Sequence, residues 1–166
     1  WRFVNRKMRE QFGTDSMPET AENLAAEYKI SREDQDSFAA WSQAKTAAAQ
    51  ASCVLSAEIT PVIVPQHKAD AITVQRDEHP RETSIEKLAK LKPIVRADGT
   101  VTAGNSSGIN DGAAAVLLAS GDAVQQYALT PMARVRSMAI AGGDPSIMGI
   151  GPVPATRKAL QRAGLT

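Results

Sequence analysis

Hydrophobic and polar positions follow two different periods along this chain, and the change of period divides it. Phe3, Val4, Met8 and Phe12 in WRFVNRKMREQF (1–12) recur on one helical face, opposite a basic side. That pattern predicts a half-buried helix; a surface that meets phosphates is the functional alternative. Ser16-Met17-Pro18-Glu19 has capping-box spacing with proline in the first turn. Ala21, Leu24, Ala25 and Tyr28 then step by three and four, predicting a short amphipathic helix. Ser31 predicts the N-cap of a longer helix running to about Gln50. Glu33 and Asp34 favour its first turn, and Phe38 and Trp41 are expected to point inward.

After Ser52-Cys53 the period shortens. Ile59, Val62, Ile63 and Val64, broken by Pro61, predict an edge strand, which Ile72-Thr73-Val74 pairs across the polar Gln66–Asp70 turn. A charged loop at 77–81 leads to a helix over Ser84–Leu91. The window GTVTAGNSSGINDG (99–112) holds four glycines, two asparagines and two serines, which excludes a long regular element there. The uncharged run Ala113–Ala119 predicts a strand buried on both faces. Ser120 predicts a helix cap, Ala133–Ile140 another strand, and Pro152 the start of a last helix closed by Gly164. This alternation predicts an α/β fold with a mostly parallel layer.

The length of 166 residues suits one domain or parts of two. A net charge of +1 and 4% aromatics supply neither the field nor the stacking surface of a nucleic-acid binder. No apolar run approaches the roughly 20 residues that cross a bilayer. The expectation is a cytoplasmic protein without nucleic-acid or membrane partners. A single cysteine, Cys53, excludes a disulfide framework and any multi-thiolate metal site, so no metal is expected. The start at Trp1 and the stop just after a helix-like stretch predict an internal piece of a longer protein.

Chemistry concentrates in Ala103-Gly104-Asn105-Ser106-Ser107-Gly108. Small side chains there leave room for a ligand, and free N–H and hydroxyl groups offer donors. A tight crossover whose glycines only solve a packing problem accounts for the same composition. The loop carries no Walker lysine, and Pro152 and Pro154 replace the glycines that a dinucleotide fingerprint needs after Gly149 and Gly151. Cys53 has no histidine or carboxylate at helical spacing, which predicts a structural, half-buried thiol. His67 and His79 lie in polar loops and read as surface histidines, with a general-base role for His79 as the alternative.

The segments GTVTAGNSSGINDGAAAVLLAS (99–120) and MGIGPVPATRKAL (148–160) closely resemble the thiolases, the acyl-CoA C-acyltransferases. MPETAENLAAEYKISREDQDSFAAWSQAKTAAAQ (17–50) and EITPV (58–62) share the likeness, which covers nearly the whole chain. WRFVN and DEHPR are most similar to the branch that acts on β-ketoadipyl-CoA (3-oxoadipyl-CoA). The resemblance implies a thiolase-like α/β fragment: the coenzyme-A-binding loop domain at 1–109, a return segment of the N-terminal domain at 110–130, and the start of the C-terminal domain at 131–166. It implies that Ala103, Gly104 and Ser107 line the pantetheine, with Met148 near the thioester end and Met17 near the adenine side. Arg81 is expected at the nucleotide phosphates, and Ile94 and Val95 flanking the adenine. Ser16 departs from the histidine that many relatives carry before the methionine.

Coenzyme A (CoA) is then a substrate or acyl carrier rather than a permanently bound cofactor. The parent is expected to be a homodimer or homotetramer. The nucleophilic cysteine of the family lies upstream, and its NEAF and GHP motifs and second cysteine lie downstream; none occurs in this sequence. No catalytic residue is therefore expected within residues 1–166, and the chain alone is expected to be inactive. The alternative is a non-catalytic α/β module that binds a nucleotide or a partner.

Overall fold

Serine side chains start three of the helices in the computed structural model, which describes residues 4–166. Trp1, Arg2 and Phe3 lie outside the described residues. Two compact units are present: one is Met17–Ile109, and the other joins Asn110–Thr166 to the residues before Met17.

In the first unit, α2 (Met17–Tyr28) precedes α3 (Arg32–Ala51). The Ser31 hydroxyl accepts from the Asp34 amide at 3.0 Å, the N-cap predicted from sequence. The inward stripe of α3 runs through Arg32, Gln35, Asp36, Ala39, Ala40, Gln43 and Thr46, and it is polar or small throughout. Phe38 and Trp41 are 66% and 56% exposed, against the expectation that they point inward. The cause is angular: Phe38 is two residues, about 200°, around the helix from the buried Asp36. The two rings instead contact each other with centroids 5.6 Å apart, and the Lys45 ammonium sits 4.2 Å from the Trp41 ring centre.

Beyond α3, Cys53 adopts φ +60° in the exposed turn before a 3-10 turn at Leu55–Ala57. The half-buried thiol expected there is exposed, because the chain turns outward before any apolar surface can cover it. Strands β1 (Val62–Val64) and β2 (Ile72–Val74) form the predicted antiparallel hairpin, with Ile63 opposite Thr73. The first strand is shorter than its apolar run, since Pro61 lies just before it. Helix α4 (Ile85–Ala89) starts at Ser84, whose hydroxyl accepts from the Lys87 amide at 3.3 Å.

In the second unit, α1 (Arg6–Phe12) is capped by Asn5 and buries no residue. Val4, Met8 and Phe12 are exposed, so the helix expected to be half-buried buries none of its described apolar residues. Helices α5 (Gly121–Gln126) and α6 (Pro152–Ala163) begin and end as predicted, with Ser120 capping one and Gly164 at φ +67° closing the other. The run expected as a buried strand, 113–119, and the run expected as another strand, 133–140, form no strand among the described residues. Val116, Leu117, Leu118, Met138 and Ile140 are exposed. A strand buried on both faces needs neighbouring strands to satisfy its backbone, and no strand among the described residues pairs with either run. The Ser137 hydroxyl and the Arg162 guanidinium tie the second run to α6, the hydroxyl donating to Ala159 O at 2.6 Å and the guanidinium to Met138 O at 2.8 Å. No described helix is long and apolar enough to cross a membrane.

Candidate functional site

The glycine-rich loop of the first unit is built on buried polar groups rather than on an apolar floor. Glu22 of α2 is 3% exposed and accepts three hydrogen bonds from the strand-like entry to the loop. The amides of Thr100 and Val101 donate to its Oε1 at 2.7 Å each, and the Thr100 hydroxyl donates to Oε2 at 3.1 Å. Asp36 of α3, 2% exposed, takes Arg32 Nε on one oxygen at 2.7 Å and Asn105 Nδ2 on the other at 2.9 Å. Buried carboxylates are costly unless their lone pairs are filled by donors. Both acids meet that condition here.

Asn105 binds in three directions at once. Its amide donates to Asp36 and, at 3.0 Å, to the Thr100 carbonyl, while its Oδ1 accepts from the Thr102 amide at 2.8 Å. Thr102, fully buried, accepts on its hydroxyl from the amides of Gly104 at 3.2 Å and Asn105 at 3.4 Å. The turn is thus closed by a threonine hydroxyl and an asparagine side chain, the residue types that mimic backbone in turns. Arg32 carries the restraint onward, its Nη2 donating to the carbonyls of Leu88 in α4 at 2.6 Å and of Leu91 just beyond it at 3.1 Å.

Gly104 is required for close approach. A Cβ there would stand 2.5 Å from the methyls of both Leu88 and Leu91. At Gly108 a Cβ would meet the imidazole of His79, which lies over that end of the loop. The sequence left open whether these glycines serve a ligand or packing. Gly104 packs against leucine, and the exposed rim of Ala103 and Ser107 remains for a ligand. The donors there differ from those expected: the Thr102, Gly104 and Asn105 amides are consumed inside the loop. Among the described residues the hydroxyls of Ser106 and Ser107 make no hydrogen bond and remain as donors for a ligand, beside the backbone amides that the loop does not use.

Of the eight candidate binding residues, Ala103, Gly104 and Ser107 share this loop. The backbone brings Ile94 beside it, the Ile94 amide donating to the Val101 carbonyl at 3.0 Å next to a Pro93–Thr102 bridge. Ile94 is exposed and Val95 half-buried. Arg81 follows His79, its amide donating to Gln43 of α3 at 2.9 Å. Its guanidinium curls over its own loop, with Nη1 donating to the carbonyls of Glu78 and His79 at 2.9 and 3.0 Å. Met17 is exposed at the start of α2. Met148 belongs to the other unit, exposed on a 3-10 turn at Pro145–Ile150. There Asp144 accepts from the Ser146 amide at 2.8 Å, which holds its carboxyl below the ordinary aspartate range.

A cleft of about 630 Å³ lies between the end of α3 and the hairpin, lined by residues including Gln50, Leu55, Ile59, Pro61 and Arg76. None of the eight candidates lines it. Among the described residues no three His, Cys, Asp or Glu side chains cluster as metal ligands. Sequence reasoning missed Glu22, Asp36 and Thr102. The i,i+4 spacing of Arg32 and Asp36 was the available signal for one of them.

Comparison with known proteins bears on the whole chain. Residues 3–122 match the family model described as thiolase, N-terminal domain, and residues 129–166 the model described as thiolase, C-terminal domain. The 3-oxoadipyl-CoA/3-oxo-5,6-dehydrosuberyl-CoA thiolase of Escherichia coli K12 is 58% identical over 167 residues, covering 100% of this chain and 42% of that protein. The chain therefore spans less than half the length of this relative. Among solved structures, the acetyl-CoA acetyltransferase of Bacillus anthracis aligns with a TM-score of 0.86 at 44% identity, over 90% of this chain and 38% of that one. Human mitochondrial 3-ketoacyl-CoA thiolase in complex with CoA aligns at 0.81 and 48% identity, over 90% and 37%.

Proposed function

Since the chain belongs to the thiolase family and has its α/β fold, we propose that it is the CoA-binding central part of an acyltransferase that exchanges acyl groups between 3-oxoacyl-CoA and CoA. The observation that carries this reading is the Thr100–Gly108 loop, pinned from beneath by Glu22 and Asp36 and leaving Ser107 exposed with an uncommitted hydroxyl. A slender ligand that carries amides suits such a rim: Ala103 and Gly104 leave space, and Ser107 offers a donor.

In the whole enzyme a cysteine thiolate supplied outside residues 1–166 attacks the 3-oxo carbon. The bond between the α and β carbons breaks, acetyl-CoA leaves after protonation at carbon, and the acyl group passes from the cysteine sulfur to the thiolate of incoming CoA. Covalent catalysis thereby divides one carbon–carbon cleavage into two acyl transfers. The part assigned to this chain is to bind and orient. Ala103, Gly104 and Ser107 receive the pantetheine, Met148 the thioester end and Met17 the adenine side. Ile94 and Val95 flank the adenine. Arg81 meets the phosphates through guanidinium donors that its loop carbonyls leave over. The likeness to the Escherichia coli relative supports 3-oxoadipyl-CoA as the substrate.

The proposed organisation is a loop domain at 1–109, a return segment at 110–130 and the start of the C-terminal domain at 131–166. In the whole protein the exposed runs at 113–119 and 133–140 become strands covered by neighbours outside this chain. The enzyme is proposed to be a cytoplasmic homodimer or homotetramer. No observation favours the non-catalytic module.

The test uses the chain grafted into the Escherichia coli relative in place of its matching segment. Ser107→Leu fills the rim, and it is expected to weaken CoA binding while leaving thermal unfolding nearly unchanged. Unchanged CoA affinity beside a marked loss of stability would overturn the binding role.

A further inference from the structure

The ligand rim and the buried acids beneath it are connected through one side chain. Asn105 lies between exposed Ala103 and Ser107, and it is tied to α3 by the 2.9 Å hydrogen bond to Asp36. Asp36 is held in turn by Arg32, whose guanidinium also caps the carbonyls of Leu88 and Leu91. Those same leucines close over Gly104. A shift of Asn105 would therefore move the loop from both sides, through its bonds to Thr100 O and Thr102 N and through the leucines that pack on Gly104.

We infer that Asp36 and Asn105 are positioning residues, a pair that sets the height and orientation of the Ala103–Ser107 rim for CoA without touching the ligand. Three observations support this. Asp36 is the one buried residue of the twenty in α3, and its second oxygen is spent on the loop rather than on its own helix. Asn105 uses both of its amide hydrogens and its oxygen on internal partners, so it has no donor left for a ligand. A core filler would need neither the charge nor the three-way geometry. Preorganisation of a binding loop lowers the ordering cost of ligand capture, which is where such a pair acts.

This inference rests on the CoA reading of the loop, so its test carries a control for that reading. In the grafted full-length enzyme, Asp36→Asn and Asn105→Asp are compared with the exchanged pair Asp36→Asn/Asn105→Asp. Asn105→Asp places two carboxylates face to face, and Asp36→Asn leaves one acceptor oxygen for the two donors Arg32 Nε and Asn105 Nδ2. The exchanged pair restores one donor and one acceptor between positions 36 and 105, at the cost of the bond to Thr100 O and of the charge that Arg32 pairs with at position 36. Each single variant is expected to raise the KM for CoA and its Kd per folded molecule by about tenfold or more. kcat at saturating CoA should change much less. The exchanged pair should recover part of the affinity lost in the singles.

Unfolding is followed on the same samples, and a variant that does not fold is replaced by Asn105→Ser, which removes the contact without adding charge. Unchanged CoA affinity in folded single variants, or an exchanged pair no better than the singles, overturns the inference. If Ser107→Leu weakens CoA binding while these variants do not, the positioning role alone fails. If Ser107→Leu also has no effect, the loop is not the CoA site and both fail.

Discussion

Removing the Glu22 carboxylate should cost the Met17–Ile109 unit a large part of its stability. Glu22→Ala leaves the amides of Thr100 and Val101, each 2.7 Å from the missing Oε1, as buried donors without an acceptor. It also frees the Thr100 hydroxyl. Hydrogen bonds to a charged acceptor contribute about 1.5–3 kcal/mol each, and breaking a buried charged contact by deleting one partner typically costs about 3–5 kcal/mol. We expect about 3–5 kcal/mol, a fifth or more of the roughly 5–15 kcal/mol that holds a domain folded.

Glu22→Gln separates acceptor geometry from volume. Its side-chain carbonyl can still receive both amides, and only the contact to Thr100 Oγ1 reverses direction, at an oxygen where Gln35 already donates at 2.8 Å. We expect about 1–2 kcal/mol for Gln. The assay is urea unfolding of the 166-residue chain by far-ultraviolet circular dichroism, with hydrogen exchange of the Thr100 and Val101 amides on the same samples. Those two amides should lose protection in Glu22→Ala before any hairpin amide does. A cost below about 1 kcal/mol for Ala, or equal costs for Ala and Gln, would refute the view that this acid organises the loop.

Gly104→Ala should cost about 1–3 kcal/mol in thermal unfolding, because buried Leu88 cannot yield, whereas Gly108→Ala should cost less than about half of that, because the exposed His79 ring can swing away. The reverse order would mean that the leucines are loosely packed. An NMR titration should place the Asp144 carboxyl below the 3.8 of a free aspartate, since the Ser146 amide binds its charged form. An acid depressed in the folded state stabilises above its unfolded value, and that contribution is lost as pH falls through the folded one, so the turn at Pro145–Ile150 should loosen only in strong acid. A value at or above 3.8 would contradict the hydrogen bond. Cys53→Ser in the grafted enzyme should leave thiolysis unchanged, because Cys53 is exposed in a turn outside the proposed binding loop. A loss beyond about a hundredfold would make that thiol part of the chemistry.

The helix ends were legible because a cap is a local event: Ser31, Ser84, Ser120 and Gly164 act within four residues of themselves. The hairpin was legible for the same reason, its strands being joined by a polar turn. The inward face of α3 was not. Hydrophobicity pointed to Phe38 and Trp41, while the helix in fact turns Asp36 toward a loop 69 residues away in sequence. A buried acid becomes readable only once its distant donor is known. The runs at 113–119 and 133–140 failed for a different physical reason. Their composition encodes strand, but a strand also needs partners, and among the described residues none pairs with them. The glycine-rich loop stood out by composition, yet Thr102 and Asn105, which close it, were indistinguishable from its other polar residues until their partners were seen.

The central claim is that residues 1–166 form the CoA-binding middle of a thiolase. Its most direct test is the thiolysis of 3-oxoadipyl-CoA by the Escherichia coli relative whose matching 167-residue segment has been replaced by this chain. The account predicts kcat/KM for CoA within about tenfold of the unmodified enzyme, a difference of about 1.4 kcal/mol. A grafted enzyme that folds and assembles but neither binds CoA nor turns over would contradict it.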